Sequence, residues 1–203
     1  LENLIYKYFE KISEFSSLAT VNCNKDKIYD LSETINLFIK KSYNATGLGK
    51  KLMFIGNGGS STIASHMAED FSKAANLRSL AFNDPAFITC FGNDYGYEHI
   101  FSKQIELFAQ EGDILVAISS SGESKNIINA VNTATKIGCW VITLSGFKKN
   151  NQLSKLGNRN IYIPSEQYGF VEIAHLSICH GALDIALGWK GKSIENKKLK
   201  VAI

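Results

Sequence analysis

Two kinds of hydrophobic pattern divide the chain. Up to about residue 43 apolar positions return every three or four residues, whereas from residue 51 they bunch into short unbroken runs. The first pattern predicts amphipathic helices over Leu4 to Leu18 and Asp26 to Tyr43, the second carried by Ile28, Leu31, Ile35, Phe38 and Ile39. The second pattern predicts strands at Leu52 to Gly56, Ser79 to Phe82, Ile114 to Ser119, Trp140 to Leu144 and Ile161 to Ile163. Continuous apolar runs imply strands covered on both faces, hence a mostly parallel sheet in an α/β fold. The covering helices are expected at Ser61 to Ala75, Pro85 to Phe91, Tyr97 to Gln110, Lys125 to Ile137, Gln152 to Leu156 and Val171 to Leu187. If the strand order reverses near the first strand, a ligand belongs at the carboxyl ends of the strands beside that reversal.

The 203 residues, with 45% hydrophobic and 20% charged content, suffice for one full core. The apolar runs are far shorter than the roughly 20 residues that cross a bilayer, and no charged-then-apolar leader is seen. A cytoplasmic protein without membrane contact is expected. The net charge of +3 sits largely between Lys190 and Lys200, which reads as a solvated tail and not as a nucleic-acid-binding surface. Cys23, Cys90, Cys139 and Cys179 show no close spacing and read as reduced thiols.

Two loops carry candidate chemistry. The first strand runs into Gly56-Asn57-Gly58-Gly59-Ser60 with a helix opening at once behind it. Glycines let bare backbone approach a ligand, and a helix amino terminus offers unpaired N–H groups to an anion. The third strand ends in Ser119-Ser120-Ser121-Gly122-Glu123-Ser124, again before a helix. Hydroxyls there can donate to phosphate oxygens without the cost of burying fixed positive charge. Either loop alone suits an ordinary strand-to-helix turn; together they point to an anion cradle. Neither has the Gly-Lys-Ser/Thr ending or the glycine spacing of a nucleotide loop, so no nucleotide cofactor is expected.

These two blocks, with His66 beyond the first, Gly92-Asn93-Asp94-Tyr95-Gly96, and Val141-Ile142-Thr143-Leu144-Ser145-Gly146, occur in an order that resembles the phosphoheptose isomerase branch of the sugar isomerase (SIS) family. The resemblance runs from about Leu4 to about Leu187. It implies a flavodoxin-like, five-stranded parallel sheet with helices on both faces and extra helices at the amino terminus. In this chain that divides into a helical segment 1–48 packing on the core and on subunit partners, an SIS domain 49–189 and a tail 190–203. It also implies a homotetramer with sites between subunits, and conversion of sedoheptulose 7-phosphate to a D-glycero-D-manno-heptose 7-phosphate for surface-polysaccharide heptose. By resemblance the phosphate falls to Ser60, Ser119, Ser120, Ser121 and Ser124, with Gly58 and Gly59 beside them, while Asn57 and Asp94 orient sugar hydroxyls. Asn93 and Asp94 also suit a plain Gly-Asn-Asp turn.

Aldose-ketose isomerisation needs a base for a carbon-bound proton and an acid for the oxygens. His66 and Asp70 lie four apart on one helix face, about 6 Å apart at Cβ, with Glu69 turned away. By resemblance Asp70 takes the place of the family's catalytic glutamate and His180 that of its acid, making these the expected catalytic pair. Glu172 takes the place of a substrate-binding glutamine, and Gly169 and Phe170 replace acidic and arginine side chains. His175 matches a family histidine and suits either the core or the site. Aspartate holds its carboxylate on the order of 1.5 Å farther back than glutamate would, a displacement that can cost around 100-fold in rate unless something shifts. Relatives that bind zinc do so at positions matching His66, Asp70, Glu172 and His180, so one zinc ion per site is the alternative to plain acid-base work. On one regular helix Glu172 and His180 stand roughly 12 Å apart; sharing one ion would require Glu172 to precede the helix or a second subunit to contribute. Glu123, a carboxylate in the serine loop, is expected to face outward. The rival readings are an isomerase of another sugar phosphate and a non-catalytic SIS module that binds a sugar phosphate or docks on a replication initiator.

Overall fold

The computed structural model describes residues 2–23 and 27–191. Helix α1 (Glu2–Ser17) leads into a hairpin of β1 (Thr20–Asn22) and β2 (Ile28–Tyr29), followed by α2 (Leu31–Gly47). Then come β3 (Leu52–Gly56), α3 (Gly59–Lys73), β4 (Ser79–Ala81), α4 (Pro85–Tyr95), a 3-10 turn (Tyr97–His99) and α5 (Ile100–Phe108). The chain continues through β5 (Ile114–Ser119), α6 (Lys125–Ile137), β6 (Trp140–Ser145), a 3-10 turn (Leu153–Lys155), β7 (Arg159–Tyr162) and α7 (Tyr168–Ala186). Among these residues no helix is long and apolar enough to cross a membrane.

The sheet order is β2-β1-β7-β6-β5-β3-β4, with β4, β3, β5, β6 and β7 parallel and the hairpin antiparallel along the β7 edge. The parallel part thus has the flavodoxin-like order, and its reversal lies between β3 and β5, whose ends pair Gly56 with Ile118. Strand alternation sends Leu52 and Phe54 into one core layer with Phe38, Met67, Phe71 and Val171, and Met53 and Ile55 into the other with Phe101, Ile105 and Ile127. Burial on both faces is why these strands read as unbroken apolar runs.

The hairpin is the main departure from the expected pattern. The second helix does not begin at Asp26, which lies outside the described residues; Ile28 and Tyr29 are strand, and the helix starts at Leu31. Asp30 sets that boundary, its Oδ1 accepting the Glu33 amide at 2.9 Å as an N-cap. An N-cap needs extended backbone at its own position, so the helix cannot run back through it. Residues 1–48 accordingly add two strands to the main sheet and are not purely helical. Helix α1 packs on the start of α7, with Phe170 buried between Tyr8 and Phe15 at ring distances of 4.8 and 4.9 Å. A Cβ on Gly169 would stand 2.9 Å from the Tyr8 hydroxyl. Gly169 and Phe170, where the resemblance led to polar side chains, thus form a seat for α1.

Candidate active site

The first turn of α3 is held open by glycine. Gly58, its N-cap, has φ +52° and ψ −124°, a combination that L side chains avoid, and it offers no capping side chain. The Ser61 amide already donates back to the carbonyls of Asn57 and Gly58, at 3.3 and 3.0 Å, which leaves the amides of Gly59 and Ser60 at the helix start to face whatever lies in front.

The serine loop stands beside it. Gly122, at φ +66°, folds the loop back so that its amide donates to the carbonyl and Oγ of Ser119, at 3.1 and 3.2 Å. Ser119 Oγ donates to Ser124 Oγ at 3.3 Å, and Ser121 Oγ accepts the Glu123 amide at 3.2 Å. Ser120 is 5% exposed, and its Oγ is buried with no hydrogen-bond partner among the described residues. Buried hydroxyls are ordinarily satisfied, and Ser120 is among the residues that line the space between the two loops. Glu123 faces out as expected: it is exposed, and its Oε1 accepts the Gln152 amide at 3.0 Å.

The two loops enclose a cavity of about 260 Å³ lined by Asn57, Gly58, Gly59, Ser60, Ser119, Ser120, Ser121, Ser124, Tyr168 and Glu172. Nine of these ten were candidates from the sequence; Tyr168 was not. It is the first residue of α7, exposed at the cavity mouth and edge-on to Phe147 at 4.9 Å. Asn126 was missed too. It exchanges side-chain hydrogen bonds with Asn57 at 2.9 and 2.8 Å, tying the glycine loop to α6. Tyr97 donates to Asn57 Oδ1 at 3.2 Å, so much of the Asn57 amide serves the fold before it serves a ligand.

Asp94 does not line this cavity. It belongs to the last turn of α4 rather than to a Gly-Asn-Asp turn, and its carboxylate accepts hydrogen bonds from Asn93 and Cys90. The helix expected at Pro85 to Phe91 runs four residues farther: Gly92 keeps helical geometry and the chain turns only at Gly96, φ +89°.

A second cluster lies farther along the pair α3 and α7. Asp70 Oδ2 is 3.5 Å from His66 Nε2 and 3.9 Å from His180 Nδ1, and the two imidazoles are 5.2 Å apart. One ligand atom from each residue falls within 4.8 Å of the others. Glu172 is not part of this group. The helix begins at Tyr168, so Glu172 lies within regular helix and its carboxylate crowds Gly59 instead. The expected acid-base pair therefore meets within one chain, whereas Glu172 cannot join it there. Glu69 points to solvent, near Lys73 at 3.7 Å.

His175 belongs to neither group. It is fully buried, with Nε2 3.2 Å from the Ser145 carbonyl and Nδ1 unpartnered among the described residues. Burial pushes it down to about 4, a shift that the hydrogen bond to Ser145 only partly opposes, so it is a neutral core residue.

Comparison with known proteins gives a consistent picture. Residues 8–146 match the family model for the SIS domain. A phosphoheptose isomerase of Fusobacterium nucleatum is 34% identical over 186 residues, covering 88% of this chain and 90% of that protein. The solved structure of a phosphoheptose isomerase from Francisella tularensis superposes with a TM-score of 0.76 at 31% identity, over 91% of this chain and 96% of that one. That of the phosphoheptose isomerase from Neisseria gonorrhoeae gives 0.76 at 27% identity, over 91% and 98%.

Proposed function

Since the chain belongs to the SIS domain family, in its phosphoheptose isomerase branch, we propose that it is an aldose-ketose isomerase acting on a sugar phosphate. The observation that carries this is the shared cavity: a glycine-opened helix start and a serine loop, with the unpartnered Ser120 hydroxyl, bounding one space. The phosphoryl group lies against the serine loop, taking hydrogen bonds from Ser119, Ser120, Ser121 and Ser124. The carbon chain extends along α3 and α7 toward Asp70 and His180. Glu172 and His180 are about 12 Å apart along α7, a span that suits an extended sugar phosphate of six or seven carbons. Sedoheptulose 7-phosphate, giving a D-glycero-D-manno-heptose 7-phosphate for surface polysaccharide, is the substrate that fits this span and the named relatives together.

In the reaction Asp70 removes the proton from the carbon beside the carbonyl and returns it to the neighbouring carbon. His180 supplies and recovers the proton on oxygen, so that an enediol links ketose and aldose. As the alternative to that acid-base work, the donor set suits zinc: two imidazoles and one carboxylate match a three-ligand catalytic site with an open position. His66, Asp70 and His180 would hold the ion, which when bound polarises the carbonyl. Self-association is part of the same reading. Leu4, Ile5, Tyr6 and Phe9 of α1 and Ile173 and Ile185 of α7 are exposed, more apolar surface than one chain covers.

The test is proton exchange. Incubated with sedoheptulose 7-phosphate in heavy water, the protein should carry deuterium into one carbon-bound position while forming aldose. A sugar that binds without exchange would instead mark a non-catalytic binding module.

A further inference from the structure

An anion-binding cavity ordinarily carries positive charge, and this one does not. Among the described residues no lysine or arginine lines it, and the one charged side chain in its wall is an acid, Glu172. That carboxylate is turned inward: a Cβ on Gly59 would stand 2.5 Å from Oε2, 2.6 Å from Cδ and 2.7 Å from Oε1. Both oxygens therefore crowd the first residue of α3, and Glu172 forms no ion pair or hydrogen bond among the described residues. A helix amino terminus is equivalent to roughly half a positive charge. The starts of α3 and α6 together offer about one full positive charge, which the single negative charge of Glu172 offsets.

We propose that Glu172 is a specificity-determining residue that acts as a built-in anion at the start of α3. It confines an incoming phosphoryl group to the serine-loop half of the cavity and weakens its binding through like-charge repulsion. The site then discriminates by charge, favouring headgroups that arrive with less negative charge and disfavouring a second anionic group on the ligand. This rests on the reading that the cavity holds phosphate.

In a space of about 260 Å³ the two charge centres are on the order of 7 Å apart. One pair of unit charges at that distance is worth between about 3-fold and about 50-fold in affinity, according to how far water screens it. Inorganic phosphate titrated calorimetrically at pH 8 into wild type, Glu172→Gln and Glu172→Ala separates the possibilities. Both variants should bind about tenfold more tightly than wild type. A gain in Glu172→Gln alone would credit the new amide donor and overturn the charge assignment, as would equal or weaker binding by both. No phosphate binding by any of the three would instead overturn the cavity reading itself, and this inference with it.

Discussion

Asp70 and His180, 110 residues apart in sequence, face one another across the α3–α7 contact with 3.9 Å between Oδ2 and Nδ1. At that separation they share no hydrogen bond, and each remains free to address a third party between them. Because both come from one chain, the pair needs no second subunit.

Asp70→Asn and His180→Ala should each lower kcat by about 100-fold to 10,000-fold with little change in phosphate binding. Unfolding and refolding the two mutant chains together should restore nothing, since every chain would lack one member of the pair. Recovery of activity in the mixture would show instead that the pair is completed between chains.

For zinc, His66, Asp70 and His180 have their ligand atoms in reach of one another and Glu172 does not. Metal-free protein should take up one zinc ion per chain, with His66→Ala and His180→Ala weakening it by at least about 100-fold. Glu172→Gln should leave zinc affinity unchanged. An equal loss in Glu172→Gln would place that residue in the metal shell.

The Ser120 hydroxyl offers a separation of stability from binding. It is buried without a partner, so Ser120→Ala removes an unsatisfied group and should leave the melting temperature unchanged or slightly raised. The same change should weaken phosphate binding by about tenfold, the worth of one hydrogen bond to a charged group. A large drop in melting temperature would mean that the hydroxyl serves the fold.

His175 predicts a pH dependence of stability. Its pKa is pushed from 6.5 down to about 4 by burial, so between these values the unfolded chain holds a proton that the folded chain does not. Stability from this residue is complete above pH 6.5, is lost as pH falls toward about 4 and is constant below that, a change of about 3 kcal/mol. Urea unfolding at pH 7.5 and 4.5 should show that loss in the wild type beyond any loss in His175→Gln. Equal losses in both proteins would remove His175 from the account.

Much of this molecule was written locally. The five parallel strands could be read from unbroken apolar runs because a strand buried on both faces needs no polar alternation. Eight of the ten cavity residues lay in two loops recognisable from glycine and serine placement at strand ends. His66 and Asp70 were paired by helical spacing alone.

What escaped the sequence depends on distant parts of the chain. Ile28 and Tyr29 became strand because the β7 edge accepts a hairpin, and a two-residue strand leaves no period to detect. Tyr168 came to line the cavity, and Asn126 to hold Asn57, through packing against other elements, and Asp94 stands outside the cavity wall in the last turn of α4, which runs through Gly92 without breaking. Residue types and short-range spacing settled which side chains are fit for the chemistry. Only the crossing of α7 over α3 decided that Glu172 meets Gly59 while His180 meets Asp70, because contacts between segments more than 100 residues apart are fixed by the packing of whole helices on a sheet, which no local pattern encodes.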